Sequence, residues 1–429
     1  MESTPRDAAG RLSGPKFPLL TKVVRQVERA MIWRHKWQGI LFLSDTTLRD
    51  GEQMSGVRLN PEAKVTIAKA LAAAGVHSID AGSPAASREE VESIRRIVRE
   101  VHGPVITAHC RTLPQDIDIV AEAFEEASRP RRGITVYIGV SPIHRERKHR
   151  KSKAEIIQIA VDAIQYAKRF FSIVTFGPED AGRTEPEYLH EIYREAIAAG
   201  ATTIGFADTV GILTPEKAAD AIKAVQDHVP NIDDALLAVH FHNDLGLGTA
   251  NALACVAQGV NIVQGTVNGI GERAGNTPLE EVAMAVKLHK DQYRRECHVD
   301  TRQLYELSRL VARLTGVEPA ITKPIVGDNL FVTESGVHQD GLLKDPISYL
   351  PFLPEQTGAP PVRLVLGKHS GRRAVRYRME QHGVQLDDQQ VLQVLEHLKT
   401  GPKLMSYDSK TELDQLLDEV FHGTVKRNQ

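Results

Sequence analysis

From Ile40 onward, short apolar runs of strand length alternate with longer stretches whose apolar residues recur at helical spacing. The runs Ile40–Asp45, Val76–Ala81, Val105–Cys110, Ile134–Val140, Ile173–Phe176, Thr202–Ala207, Leu236–His242 and Ile262–Val267 predict eight strands. Between them, Pro61–Ala74, Glu89–Val101, Asp116–Glu126, Lys153–Phe170, Glu185–Ala199 and Pro215–His228 predict helices. Asn60-Pro61 and Thr214-Pro215 set a capping residue before a proline at the first helical position. Gly75 and Gly200 fall where helix C-caps are expected. Strand then helix, repeated about eight times over roughly 250 residues, predicts an α/β fold of the (β/α)8 TIM-barrel type rather than an open sheet. The expected organisation is an N-terminal extension over 1–38, the barrel over 39–295, and a mostly helical C-terminal region over 296–429 punctuated by Pro351, Pro354, Pro360 and Pro361. The extension reads as a loose leader (Gly10, Gly14, Pro15, Pro18) with a short amphipathic helix over Leu20–Trp33.

Composition narrows the function classes. In 429 residues, 53 Lys and Arg face 55 Asp and Glu, a net charge of −2. That balance argues against affinity set by bulk charge on nucleic acid or an anionic membrane. Hydrophobic residues at 41% and charged ones at 25% describe an ordinary globular chain and exclude disorder throughout. No apolar run approaches the ~20 residues that span a bilayer. Cys110, Cys255 and Cys297 are too few and scattered for a disulfide framework or a paired-cysteine zinc site, so a reducing cytoplasm is expected. One basic run, His144 to Lys153, stands out after the fourth strand. It reads as a solvated active-site loop or as a loop capturing an anion (CoA phosphates or an acidic substrate). Nucleic-acid binding is the weaker reading, for want of interleaved aromatics and a wider basic face.

Barrel active sites lie at the C-terminal ends of the strands, so reactive side chains should gather just after each apolar run. Arg49 and Asp50 follow the first strand, Asp80 and Ser83 the second, His109 and Arg111 the third, and Ser141 and His144 the fourth. Glu179 and Asp180 follow the fifth, Asp208 and Thr209 the sixth, His240 and His242 end the seventh, and Asn268, Glu272 and Asn276 follow the eighth. Residues two apart on a strand share a face, so His240 and His242 project together into the barrel mouth. Two adjacent neutral imidazoles point to a shared divalent metal, whereas a lone barrel histidine is more often a hydrogen-bonded core residue. Asp50 can reach the same point, because strands one and seven flank strand eight. A His, His, Asp set favours Mn, Mg, Zn or Co. Gly269 to Gly275 is glycine-rich after a strand but lacks the order of a dinucleotide site, and reads as a loop shaping the mouth near Asn276.

These residues carry a family resemblance. Asp45-Thr46-Thr47-Leu48-Arg49-Asp50-Gly51-Glu52-Gln53 resembles the opening signature of the 2-isopropylmalate synthase and homocitrate synthase family. So do His240-Phe241-His242-Asn243-Asp244-Leu245-Gly246, the run from Asn268 to Asn276, Glu334 to Gly341, and Leu366 to Gly371. The resemblance implies a divalent metal on Asp50, His240 and His242 with Asn276 close by. It also implies acetyl-CoA as co-substrate, condensed with a 2-oxo acid. Arg49 would neutralise charge on the oxo-acid oxygens and Thr209 would bond its carboxylate. Glu179 matches the family's acidic residue inside the barrel, and His338 with Tyr349 its catalytic His and Tyr, although Tyr349 also reads as a packed loop aromatic. The family places the post-barrel region across a partner subunit, so a homodimer is expected. Feedback-regulated isopropylmalate synthases carry a further domain of ~100 residues. None is expected here, which lowers the odds of a leucine-inhibited enzyme.

Substrate choice turns on two positions. Isopropylmalate synthases usually have Phe where Ser83 stands and an apolar residue where His109 stands. A hydroxyl and an imidazole there suit a polar or anionic far end, with Arg111 or the basic loop assisting. The first expectation is homocitrate formation from 2-oxoglutarate. The alternatives are oxaloacetate, a phosphono- or phosphinopyruvate, 2-isopropylmalate or citramalate formation, and a lyase acting on a 3-hydroxy-3-methylglutaryl-type thioester. The post-barrel motifs speak against the lyase, and the intact site residues speak against a catalytically silent binding scaffold.

Overall fold

The computed structural model describes residues 39–127, 131–400 and 407–422, so the N-terminal extension and its expected helix lie outside the described residues. The described chain divides into two compact units. The first runs to Thr301 and includes Leu307–Glu318; the second comprises Arg302–Glu306 and the chain from Pro319 onward.

In the first unit eight parallel strands close in sequence order: β1 (Phe42–Asp45), β2 (Ser78–Asp80), β3 (Val105–Arg111), β4 (Arg132–Gly139), β5 (Ile173–Glu179), β6 (Thr203–Asp208), β7 (Leu236–Phe241) and β8 (Ile262–Gly265). β1 closes the ring against β8 in a register running from Phe42↔Ile262 to Asp45↔Gly265. The helices that follow the strands are α1 (Pro61–Ala73), α2 (Arg88–Glu100), α3 (Pro114–Ala123), α4 (Lys153–Ala167), α5 (Pro186–Ala199), α6 (Pro215–His228), α7 (Gly248–Ala257) and α8 (Leu279–Leu288), with further helical segments at Lys290–Tyr293 and Leu304–Thr315. The fold is therefore the expected TIM barrel. Local signals set the boundaries. Asn60 Oδ1 accepts from Ala63 N at 2.8 Å at the start of α1, and Ser152 and Glu155 form a capping box on α4. Gly200 ends α5 at φ +112°, a backbone region that side chains disfavour.

One boundary matters for the site. Gly177 and Pro178 look like strand breakers, yet β5 continues through them to Glu179. Past Phe176 the strand is paired only on its β4 side, up to Gly139↔Glu179, while its register with β6 covers Thr175↔Thr203 and Phe176↔Ile204. A proline lacking its N–H is tolerated where one ladder is absent. The added turn of strand carries Glu179 to the barrel rim.

The second unit contains a short parallel pair, β9 (Val332–Thr333) with β10 (Arg363–Leu364), and helices α9 (Gly336–Lys344), α10 (Arg372–Gln381), α11 (Asp388–Thr400) and α12 (Lys410–Phe421). Its own core includes Leu366, Val375, Met379, Val394, Leu416 and Leu417. Among the described residues no helix is long and apolar enough to cross a membrane.

Candidate active site

Asp50, His240 and His242 converge at the barrel mouth, all buried, with one potential ligand atom from each lying within 4.8 Å of the others. The two imidazole Nε2 atoms stand 3.4 Å apart, and Asp50 Oδ2 is 3.7 Å from His240 Nε2. Burial pushes His240 down to about 3, and His242 also below its ordinary value, so both rings stay neutral. Burial alone would raise Asp50. The Arg49 guanidinium overrides it and, with the Asn276 amide, holds Asp50 well below the usual carboxylate range. Asn276 Nδ2 donates to Asp50 Oδ1 at 2.7 Å, while its own Oδ1 is buried without a partner. A carboxylate, two neutral imidazoles and a spare amide oxygen are the donor set a divalent cation takes. The residues fit the metal that the sequence pattern implied.

Arg49 ties this cluster to β2. Its Nη1 donates to Asp50 Oδ2 at 2.6 Å and its Nε to Asp80 Oδ2 at 3.0 Å. Asp80 Oδ2 is also 3.8 Å from His109 Nδ1, and Asp80 Oδ1 and His109 Nδ1 both lack a hydrogen-bond partner although buried. His109 stacks on Tyr137 of β4 at 4.5 Å between ring centres. Burial, reinforced by Arg49, holds the His109 imidazole well below its ordinary range. Ser83 caps the short turn Pro84–Ala86, accepting from Ala86 N through its carbonyl. Arg111 departs from expectation. Its side chain is 59% exposed and its guanidinium is taken up by Asp116, at 2.7 and 3.1 Å. It offers the pocket no unpaired cation, because α3 presents a buried carboxylate five residues away.

Around the rest of the rim, Thr209 Oγ1 accepts from Asp180 N at 2.8 Å, which leaves its hydroxyl proton available. Arg273 bridges Asp244, at 2.8 and 2.9 Å, and the Thr209 carbonyl at 2.7 Å, joining the loops after β6, β7 and β8. Glu179 Oε2 receives Lys148 Nζ at 2.5 Å. Part of the basic run is thus compensated. Arg145 is buried and bidentate to Glu185, and Lys153 also reaches Glu185 at 3.2 Å. Arg145 and Lys148 were legible only as part of a charge run, since their partners lie 40 and 31 residues away.

In the second unit, His338 on α9 stacks on Tyr349 with ring centres 4.3 Å apart, and both are exposed. Gly341 makes the pairing feasible, since a Cβ there would run into the Tyr349 ring.

The HMGL-like family profile matches residues 41–311, and the homocitrate synthase post-HMGL domain-like profile matches residues 325–403. The 2-isopropylmalate synthase of Dictyoglomus turgidum is 43% identical over 361 residues, covering 84% of this chain and 71% of its own. The enzyme of the same name from Heliobacterium modesticaldum is 46% identical over 355 residues, covering 83% and 69%. Among solved structures, the HMG-CoA lyase of Bacillus subtilis superposes with a TM-score of 0.56 at 18% identity, covering 66% of this chain and 95% of its own. The carboxyl transferase domain of Rhizobium etli pyruvate carboxylase gives 0.54 at 15% identity, covering 74% and 57%. At such identities the two structures bear on the barrel fold alone. Matched along both units and across the site motifs, the chain is an acyltransferase belonging to the 2-isopropylmalate synthase and homocitrate synthase family of HMGL-like barrels.

Proposed function

We propose that this chain condenses acetyl-CoA with 2-oxoisovalerate to give 2-isopropylmalate and CoA. The observation that carries the reaction class is the Asp50, His240 and His242 triad joined to Arg49. The shared name of relatives 43 to 46% identical supports the choice of oxo acid over the homocitrate reading expected from the sequence. In this proposal Asp50, His240 and His242 hold a divalent ion, with the Asn276 amide oxygen beside it. When bound, such an ion acts as a Lewis acid that polarises a 2-oxo acid carbonyl. Arg49 supplies countercharge to the oxo-acid oxygens, and the free hydroxyl proton of Thr209 is donated to the carboxylate. His338, paired with Tyr349, removes a methyl proton from the acetyl thioester. The resulting carbanion-like carbon bonds to the oxo carbon, whose oxygen takes up a proton. Water then cleaves the thioester and CoA leaves as the thiol. Glu179 serves as the acid–base group inside the barrel. In a homodimer, His338 acts on the partner's barrel; mixing Arg49→Ala with His338→Ala restores activity if it does, and restores none if each chain builds its own site.

A second reading has a specific observation behind it. Asp80 Oδ1 and His109 Nδ1 are buried without partners beside Arg49. An isopropyl group leaves such atoms unsatisfied, at ~1–3 kcal/mol each, whereas a polar or anionic far end such as that of 2-oxoglutarate can engage them. CoA release measured against a panel of 2-oxo acids decides. The highest kcat/KM with 2-oxoisovalerate supports the first reading, and a higher value with an anionic oxo acid supports the second. No CoA release with any 2-oxo acid overturns both.

A further inference from the structure

The turn after β4 is built with two faces. Residues His144–His149 form a single π-helical turn, closed by Arg150 in the left-handed region at φ 54°. Such turns are rare and concentrate at functional sites. One face anchors it. Arg145 is buried, donates to the Val140 carbonyl at 2.5 Å and to both Glu185 oxygens at 2.9 and 2.7 Å, and lies over the Tyr188 ring at 4.7 Å. Four residues on, His149 Nε2 accepts from Gly139 N at 3.2 Å. The other face carries His144 and Lys148, again four apart, and both address the same oxygen. Lys148 Nζ is 2.5 Å and His144 Nδ1 3.9 Å from Glu179 Oε2. His144 Nδ1 is buried and has no hydrogen-bond partner. Room for its ring comes from Gly139, where a Cβ would stand 2.5 Å from Nδ1 and 2.8 Å from the His144 Cβ.

We propose that Lys148, with His144 beneath it on this anchored turn, is a positioning residue that holds the Glu179 side chain along one trajectory at the barrel rim. This rests on the reading that Glu179 takes part in the reaction. A fixed cation 2.5 Å from one oxygen holds the carboxylate in one orientation and leaves the second oxygen as the acceptor for a reacting group. Two other titratable groups among the described residues lie in the field of Glu179: Tyr137 on β4, whose phenol is raised by burial and by this carboxylate, and His149, lowered by burial and by Lys148. Neither replaces Lys148. Tyr137 is neutral below its raised value, and His149 is committed to Gly139 N. Asp180, next in sequence, is neutralised by Arg183 at 2.7 Å.

Without the Lys148 anchor the Glu179 carboxylate samples other orientations, so kcat in Lys148→Met falls about 10-fold, within the ~10²-fold that misplacing a reacting group can cost. KM for acetyl-CoA and the thermal midpoint stay at wild-type values, because the Lys148 side chain is 47% exposed and such pairs add little to stability. Lys148→Arg restores kcat.

The experiment measures kcat, KM and the thermal midpoint of wild type, Lys148→Met, Lys148→Arg, Glu179→Gln and the Lys148→Met/Glu179→Gln double variant. If Lys148 acts through Glu179, the lysine change costs nothing further once Glu179 is gone. A wild-type kcat in Lys148→Met overturns the proposal, as does a full additional loss in the double variant or a rise confined to KM for acetyl-CoA. Wild-type kcat in Glu179→Gln instead overturns the underlying role of Glu179, and is told apart by that variant alone.

Discussion

Lys64→Met probes how the metal-side loop is held. Lys64 lies on α1 with no solvent exposure, and its Nζ is 2.6 Å from Glu52 Oε2, 2.5 Å from Glu90 Oε1 and 3.1 Å from the Leu48 carbonyl. Leu48 directly precedes Arg49 and Asp50, so this ammonium fastens the loop carrying the first metal-site carboxylate. Methionine keeps most of the apolar stem, so the change removes charge and hydrogen bonds rather than volume. Breaking a buried pair by deleting one partner costs ~3–5 kcal/mol. The two carboxylates keep some exposure, 21% for Glu52 and 15% for Glu90, which places the expected loss near the lower end, about 3 kcal/mol. Burial already raises Glu90, with Lys64 opposing it. Without the lysine that opposition goes, so Glu90 takes up a proton more readily and the deficit shrinks as pH falls. Urea denaturation followed by far-UV circular dichroism at pH 8 and pH 5 measures both quantities, and adding Glu90→Gln to Lys64→Met should recover part of the loss. A cost below about 1 kcal/mol, or the same cost at both pH values, refutes the reasoning.

Two further outcomes are expected. His242→Ala lowers the divalent metal retained per chain after gel filtration and abolishes turnover with the barrel still folded. Full activity in that variant, or in exhaustively chelated enzyme, refutes the metal site. Asp45, fully buried and accepting from Thr47 N and Oγ1 at 2.9 and 2.7 Å, is raised by burial to about 7 from 3.8. Its folded form therefore holds a proton that the unfolded chain releases. The stability it contributes is complete below pH 3.8, is lost as pH rises through about 7, and is flat above, on the order of 4 kcal/mol at most. Thermal midpoints of Asp45→Asn should gain on wild type from pH 4 to 7 and then run parallel; a constant difference contradicts the shift.

The local pattern of the chain was sufficient for the barrel. Strand runs and helical spacing depend on nearest neighbours along the sequence, and capping pairs such as Asn60-Pro61 punctuate them with chemistry confined to a few residues. The strand-end rule likewise anticipates that Arg49, Asp50, His240 and His242 come together, because a parallel barrel carries all its C-terminal strand ends to one rim. What each charge does there was not legible, since charges choose partners through space. Lys64 sits in a helix that reads as ordinary, and only the packing of α1 against α2 and the β1 loop makes it a buried triple contact. The run from His144 to Lys153 read as one cationic loop, and folding splits it between buried or paired members and exposed ones such as Arg147 and Arg150. Glu185 takes Arg145 and Lys153, and Glu179, carried to the rim by a strand that continues through Pro178, takes Lys148. Arg111 was lost to Asp116 in the same way. Periodicity fixes which face a residue occupies, but the pairing of ions follows from distances of 2.5 to 3.2 Å between residues up to 40 positions apart, and only the tertiary structure sets those.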